Sequence, residues 1–231
     1  MISIIVPIYK FPKSKFYLQR NLNSIMNQTY RDFEVIVSDD SDDDEAQKWI
    51  EEIYFEHLES HPSTPVIRYI HNDGEKGMAN NTNNGINQAQ GDLIKILFQD
   101  DYLLDESSLW NIVRHFTPLT MWMVTSCIHS NDLGELFNEH HPFYSYSENT
   151  IGSPSVLCFR RFVSERFNPQ FSWVLDLDLY RRLFKKYGLP KILKNVNVVI
   201  GIHDQQTTNN LTNEQKQREY QIMNDQEIKK I

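Results

Sequence analysis

Cysteine is scarce in this chain: Cys127 and Cys158 are the only two among 231 residues, each sits within an apolar stretch, and neither has a partner at metal-ligand spacing. They read as buried free thiols, and a cysteine-based metal site is excluded. Positive charge is also short. The 23 Lys and Arg stand against 31 Asp and Glu, a formal net charge of -8, which argues against a protein that grips nucleic acid by neutralising its phosphates. A phosphate-bearing small ligand stays open, because a bound divalent cation can supply positive charge locally. No apolar run approaches the roughly 20 residues that span a bilayer. The opening MISIIVPIYKF lacks the basic flank of a secretory signal, so the chain is expected to be cytoplasmic, with peripheral association at the inner membrane face left open. Internal repeats and low-complexity linkers are missing too.

What is present suits a packed core. Hydrophobic residues make up 40% and aromatics 12%, in keeping with one domain. Strand-like and helix-like segments alternate along the first half. ISIIVPIY is followed by SKFYLQRNLNSIMNQT, with Leu18, Leu22, Ile25 and Met26 at helical spacing behind Ser14 as N-cap. FEVIVSDD precedes a helix whose expected buried stripe is Trp49, Ile53 and Leu58, and VIRYI, MANNTNNGINQAQ and DLIKILFQDD repeat the order. Such alternation predicts a mostly parallel sheet with right-handed crossovers, whose ligands sit beyond the carboxyl ends of the strands. Pro7 to Tyr9, Asp39 with Asp40, NDGEKG, and Asp100 with Asp101 all fall there. Further on, SSLWNIVRHF and VLDLDLYRRLFKKYG read as helices, and MWMVTSCI, VLCFR and VNVVI as strands. GELFNEHHPFYSYSENTIGSPS reads as one long functional loop, and Thr212 to Ile231 as a weakly packed polar helix.

Adjacent carboxylates repel each other unless a cation or a set of donors lies between them. Asp100 and Asp101 end a strand buried by Leu93, Ile94, Ile96, Leu97 and Phe98. They suit a hard divalent cation, Mg2+ or Mn2+, shared with substrate phosphates; an isolated pair would as readily cap a turn. Asp39, directly after an apolar strand, is positioned to accept hydrogen bonds from a base or a ribose, whereas Asp42 to Glu45 fit the first turn of the next helix. Gly74, Lys76 and Gly77 before a helix offer N–H groups and an ammonium to a diphosphate, or form a plain turn, but lack P-loop spacing. Asp176 and Asp178, two apart on a helix, point about 200° apart, so only one can face a ligand. The other meets solvent, Arg181 or Arg182. Trp173 suits either stacking on a sugar ring or the core. His203 and Thr207 follow a strand in a loop able to close over the cleft, although a lone histidine is more often structural.

In order, ISIIVPIYK, FEVIVSDDS, KGMANNTNNGINQAQGDLIKILFQDDYL and WVLDLDLYRRL with IHDQQTT resemble the inverting family 2 glycosyltransferases of the GT-A fold. The resemblance runs over residues 1–104 and again over 152–208. It implies an α/β fold with a Rossmann-like, mostly parallel central sheet flanked by helices and a smaller acceptor-side region. One domain would cover residues 1–210, split into a nucleotide-sugar half (1–104) and an acceptor half (105–210), with a helical tail over 211–231. The resemblance implies Pro7, Ile8 and Tyr9 at the base pocket, Asp39 on the base, and Lys76 and Gly77 near the base and diphosphate with Asn83 supporting their loop. It further implies Asp100 toward the ribose and donor, Asp101 with His203 on Mn2+ or Mg2+, and Asp176 as general base. Phe98 stands where many members carry a further aspartate, and no arginine precedes the late histidine near Gly201. The implied reaction is inverting transfer from a nucleoside-diphosphate sugar, UDP-linked, to a hydroxyl of a carbohydrate or lipid-linked glycan, in surface polysaccharide or glycan biosynthesis. A non-catalytic nucleotide-sugar-binding module is the alternative. A nucleotidyltransferase is a further one, but VPIYKFPKSK lacks the glycine-rich basic loop expected of it.

Overall fold

A computed structural model describes residues 1–228. The first half runs β1 (Ile2–Ile8), α1 (Ser14–Met26), β2 (Phe33–Asp39), α2 (Glu45–Ser60), β3 (Ile67–His71), α3 (Met78–Asn87) and β4 (Leu93–Ile96). Its strands lie parallel in the order β3, β2, β1, β4, with Ile8 level with Asp39 and Asp39 level with His71. Every residue of β1 is buried. Both faces of the sheet are covered there, which is why β1 reads as a continuous apolar run rather than an alternation.

Two local expectations shift. Ser14 lies inside α1 rather than capping it: Lys13 holds the cap position at φ 70, and the Ser14 hydroxyl accepts the Phe11 N–H at 2.6 Å. The stripe that α2 buries is Ala46, Ile50, Ile53 and His57, while Trp49 and Leu58 are half-buried.

Beyond β4 the chain continues through β5 (Tyr102–Leu103), α4 (Ser108–His115), β6 (Trp122–Ser130), β7 (Leu136–His140), β8 (Leu157–Arg160), α5 (Leu175–Tyr187), β9 (Lys191–Gly201), α6 (Thr207–Asn210) and α7 (Asn213–Ile228). On this side the sheet is mixed. β8 is antiparallel to β4 and β6, β9 is parallel to β6, and β5 closes the far edge antiparallel to β9. The segment expected as one long loop contains β7, paired with β6. Of the expected tail, 213–228 is helical and 229–231 lies outside the described residues. Cys127 and Cys158 are buried and free. No described helix is long and apolar enough to cross a membrane.

Candidate active site

The ends of β1, β2 and β4 meet the loops around Gly77, Gly152, Trp173 and His203 at one cleft of about 660 Å³. Pro7, Ile8, Tyr9 and Gly77 line it, as do Asp100, Asp101, Asp176 and His203. Asp39, Lys76 and Asn83 do not.

The pleat of β2 explains Asp39. Its side chain turns inward, 0% exposed, and accepts hydrogen bonds from the Ser41 N–H (2.9 Å), the Ser41 hydroxyl (2.6 Å) and the Tyr69 hydroxyl (2.9 Å). Asp40, one residue on, lines the cleft instead. Its two oxygens accept the Asn72 side-chain amide and the Gly77 N–H, each at 2.7 Å. This holds the loop after β3 against β2, with Gly77 at φ 123, a left-handed conformation that favours glycine. The Lys76 ammonium is turned onto the carbonyls of Asp40 and Ser41, 3.1 Å from each. Asn83 is a clamp rather than a ligand contact: its amide donates to the Phe167 carbonyl at 2.7 Å and accepts the Phe167 N–H at 2.9 Å.

The acidic pair divides. Asp101 is 2% exposed, accepting the Gly201 N–H at 2.9 Å and the Ser153 hydroxyl at 3.2 Å. Burial, and then the charge of Asp100, push its carboxyl up to about 8. The approach of Gly201 depends on its having no side chain, since a Cβ there would lie 2.4 Å from the Asp100 carbonyl oxygen. Asp100 instead meets His203, with Oδ2 and Nε2 3.0 Å apart. The imidazole stacks on Tyr17 (4.7 Å) and Phe11 (5.5 Å). Because its Nδ1 accepts the Gln205 N–H at 3.2 Å, the proton on the ring sits at Nε2 and is donated to Asp100. The carboxylate beside His203 is therefore Asp100, which corrects the expected pairing of His203 with Asp101.

Among the described residues, no group of three or more His, Cys, Asp or Glu side chains converges to hold a metal ion alone. Asp100 still fits a divalent cation whose other positions are taken by phosphate oxygens and water, and the imidazole joins it in the tautomer that frees Nε2, giving up the Gln205 contact at Nδ1. Beneath them Lys95 is fully buried, donating to the carbonyls of Ile96 (2.9 Å) and Ser155, and desolvation brings its ammonium down to about 8.

Asp176 lies in the first turn of α5, half-buried, and accepts the Asn149 side-chain amide at 2.6 Å and the Leu177 N–H at 2.7 Å. Desolvation outweighs both bonds and raises its carboxyl to about 7. Asp178 turns away, taking both the Nε (2.9 Å) and Nη2 (2.5 Å) of Arg182. Trp173 lines the cleft, edge-on to Tyr220 of α7 at 5.4 Å.

The sequence placed Asp40 at the cleft and Asn149 in a functional loop without showing the part either plays, and it did not point to Tyr220. Asp40 had a signal, because strand alternation lets only one of two successive aspartates face the cleft. Neither Asn149 nor Tyr220 could be singled out: one lies in a loop expected to be functional but without periodicity, the other on a helix without an apolar stripe.

Comparison with known proteins adds to this geometry. The family model described as glycosyl transferase family 2 matches residues 3–184. The chain is 33% identical over 179 residues to the GalNAc(5)-diNAcBac-PP-undecaprenol beta-1,3-glucosyltransferase of Campylobacter jejuni, covering 77% of this chain and 52% of that protein. It is 25% identical over 234 residues to chondroitin synthase of Escherichia coli, covering 97% of this chain and 32% of that protein. The chain thus spans about a third to a half of the length of these relatives. S. aureus TarS 1–349 in complex with UDP-GlcNAc superposes with a TM-score of 0.67 at 16% identity, over 91% of this chain and 61% of that one. The mannosyltransferase PcManGT from Pyrobaculum calidifontis, in complex with GDP-Man and Mn2+, gives 0.62 at 17%, over 89% and 57%. The shared architecture is the GT-A fold.

Proposed function

The chain belongs to glycosyl transferase family 2, and we propose that its cleft binds a nucleoside-diphosphate sugar, UDP-linked, and passes the sugar with inversion to a hydroxyl of a carbohydrate or lipid-linked glycan. The observation that carries this reading is the sharing of one cleft by the Asp100–His203 pair and the Asp176–Asn149 pair. Two different jobs are thereby available side by side.

Asp100 and His203 would hold Mn2+ or Mg2+, whose charge offsets the charge that builds on the diphosphate as the sugar leaves. Pro7, Ile8 and Tyr9 offer an apolar wall to the base, and the Asp40–Gly77 contact fixes the loop beside it. Asp176 accepts the proton of the acceptor hydroxyl while that oxygen bonds to the anomeric carbon and the bond from that carbon to the phosphate oxygen breaks. A base raised to about 7 is well matched to this task near neutral pH. With one displacement and no enzyme nucleophile, the anomeric configuration inverts. The GT-A neighbours solved with UDP-GlcNAc and with GDP-Man support the donor class, and the PP-undecaprenol in the Campylobacter relative's name supports the lipid-linked acceptor.

The test is nucleotide release from UDP-GlcNAc, UDP-glucose and GDP-mannose with Mn2+, with and without Asp176→Asn. Loss of a general base should lower turnover by about 10²–10⁴-fold, while UDP binding persists. A wild-type protein that binds UDP with Mn2+ but turns over no donor would be a binding module instead.

A further inference from the structure

Helix α7 lies beyond the residues that the family match covers. It is polar, yet it is fastened to both sides of the cleft. Glu219 accepts three successive backbone N–H groups: Ser172 at 3.1 Å to each oxygen, Trp173 at 2.8 Å and Val174 at 3.1 Å. These groups lie in the bend that leads into α5, with Val174 at its cap position, and a negative charge there is favoured by the helix dipole. Asp176 follows two residues after Val174. The neighbour of Glu219, Tyr220, lines the cleft against Trp173. On the other side, Lys216 donates to the Thr208 carbonyl at 2.8 Å, in α6, the short helix that follows the His203 loop. Asn224 accepts Arg181 of α5 at 2.8 Å, and Met223 is 2% exposed.

We propose that Glu219 is a positioning residue for the transfer, and that α7 is a strap holding Asp176 and Trp173 in register with the His203 loop, with Tyr220 closing that end of the cleft. The inference rests on the glycosyl transfer reading above. One carboxylate fixes the three residues that lead directly into the turn bearing the base. Loosening it leaves the donor side of the cleft intact but lets the base drift, and a drift of about 1 Å costs on the order of 10²-fold in rate.

The experiment measures two quantities in wild type, Glu219→Ala and Glu219→Gln: nucleotide release from the three donors above with Mn2+, and the affinity for UDP with Mn2+. Glu219→Ala should lower release at saturating donor by about 10–100-fold with UDP affinity changed by less than about twofold. Glu219→Gln keeps one accepting oxygen and should fall less. Wild-type release from a folded Glu219→Ala protein overturns the proposal, and so does a parallel loss of UDP affinity. Where the alanine variant does not fold, Glu219→Gln decides: reduced release with UDP affinity kept supports the strap, and unchanged release overturns it. A wild-type protein that binds UDP but releases no nucleotide from any donor defeats the transfer reading itself, which is a distinct result.

Discussion

As the proposed base, Asp176 would face the strictest requirement of any side chain in the cleft, because a base must be ionised when the proton arrives. A carboxyl raised to about 7 is neutral below that pH and charged above it. Turnover should therefore climb about tenfold per unit as pH rises toward 7 and level off beyond it. A pH–rate profile without an inflection between roughly 6 and 8 would remove Asp176 from the role. The same shift has a cost in stability. A carboxyl whose folded value exceeds its unfolded value favours the fold while protonated, and that contribution is lost as pH rises through about 7. Asp176→Asn should thus melt no lower than wild type at about pH 8. At this scale the sequence was half legible. The spacing of Asp176 and Asp178 showed that only one could face a ligand, but which of Asp39 and Asp40 turns inward depends on where the pleat of β2 ends, and that is decided by its neighbours β1 and β3.

Elements were legible where burial writes a pattern. The alternation from β1 to β4 is plain because those strands and helices bury apolar side chains at periods that their geometry dictates. β7 was missed because its residues are mostly exposed, and an edge strand with little to bury carries no periodic signal. α7 was legible as a helix, but its attachment was not, since carboxylate and amide contacts leave no apolar stripe. The clamp between α3 and Phe167 is equally silent in sequence. It yields a clear expectation: Asn83→Ala, which strands a donor and an acceptor of Phe167, should cost about 1–3 kcal/mol. Thermal unfolding should show this as a fall of roughly 2–10 °C, with UDP affinity unchanged. Lost UDP binding without lost stability would instead return Asn83 to the ligand site.

For the molecule as a whole, a formal charge of -8 bears on the proposed anionic donor. Lys76 is spent on backbone carbonyls and Lys95 is buried, so on the proposed reading a divalent cation would accompany the nucleotide. UDP should raise the melting temperature only with Mn2+ or Mg2+ present. Asp100→Asn and His203→Ala should each abolish that gain, and a gain that survives a chelator would refute the dependence. The convergence of the strand ends was readable from topology alone, because parallel crossovers bring the carboxyl ends to one rim. The second side of the cleft was not, because it is assembled from loops and from α7.

Among the described residues, which include all four tryptophans, Trp173 alone lines the cleft, while Trp122 is 1% exposed within the core and Trp110 is 48% exposed on the surface. The cleft therefore carries its own fluorophore. Titrating an acceptor glycan or a donor into the protein should alter the intrinsic emission, and Trp173→Phe should silence that signal, giving an optical readout of occupancy that needs neither turnover nor a label.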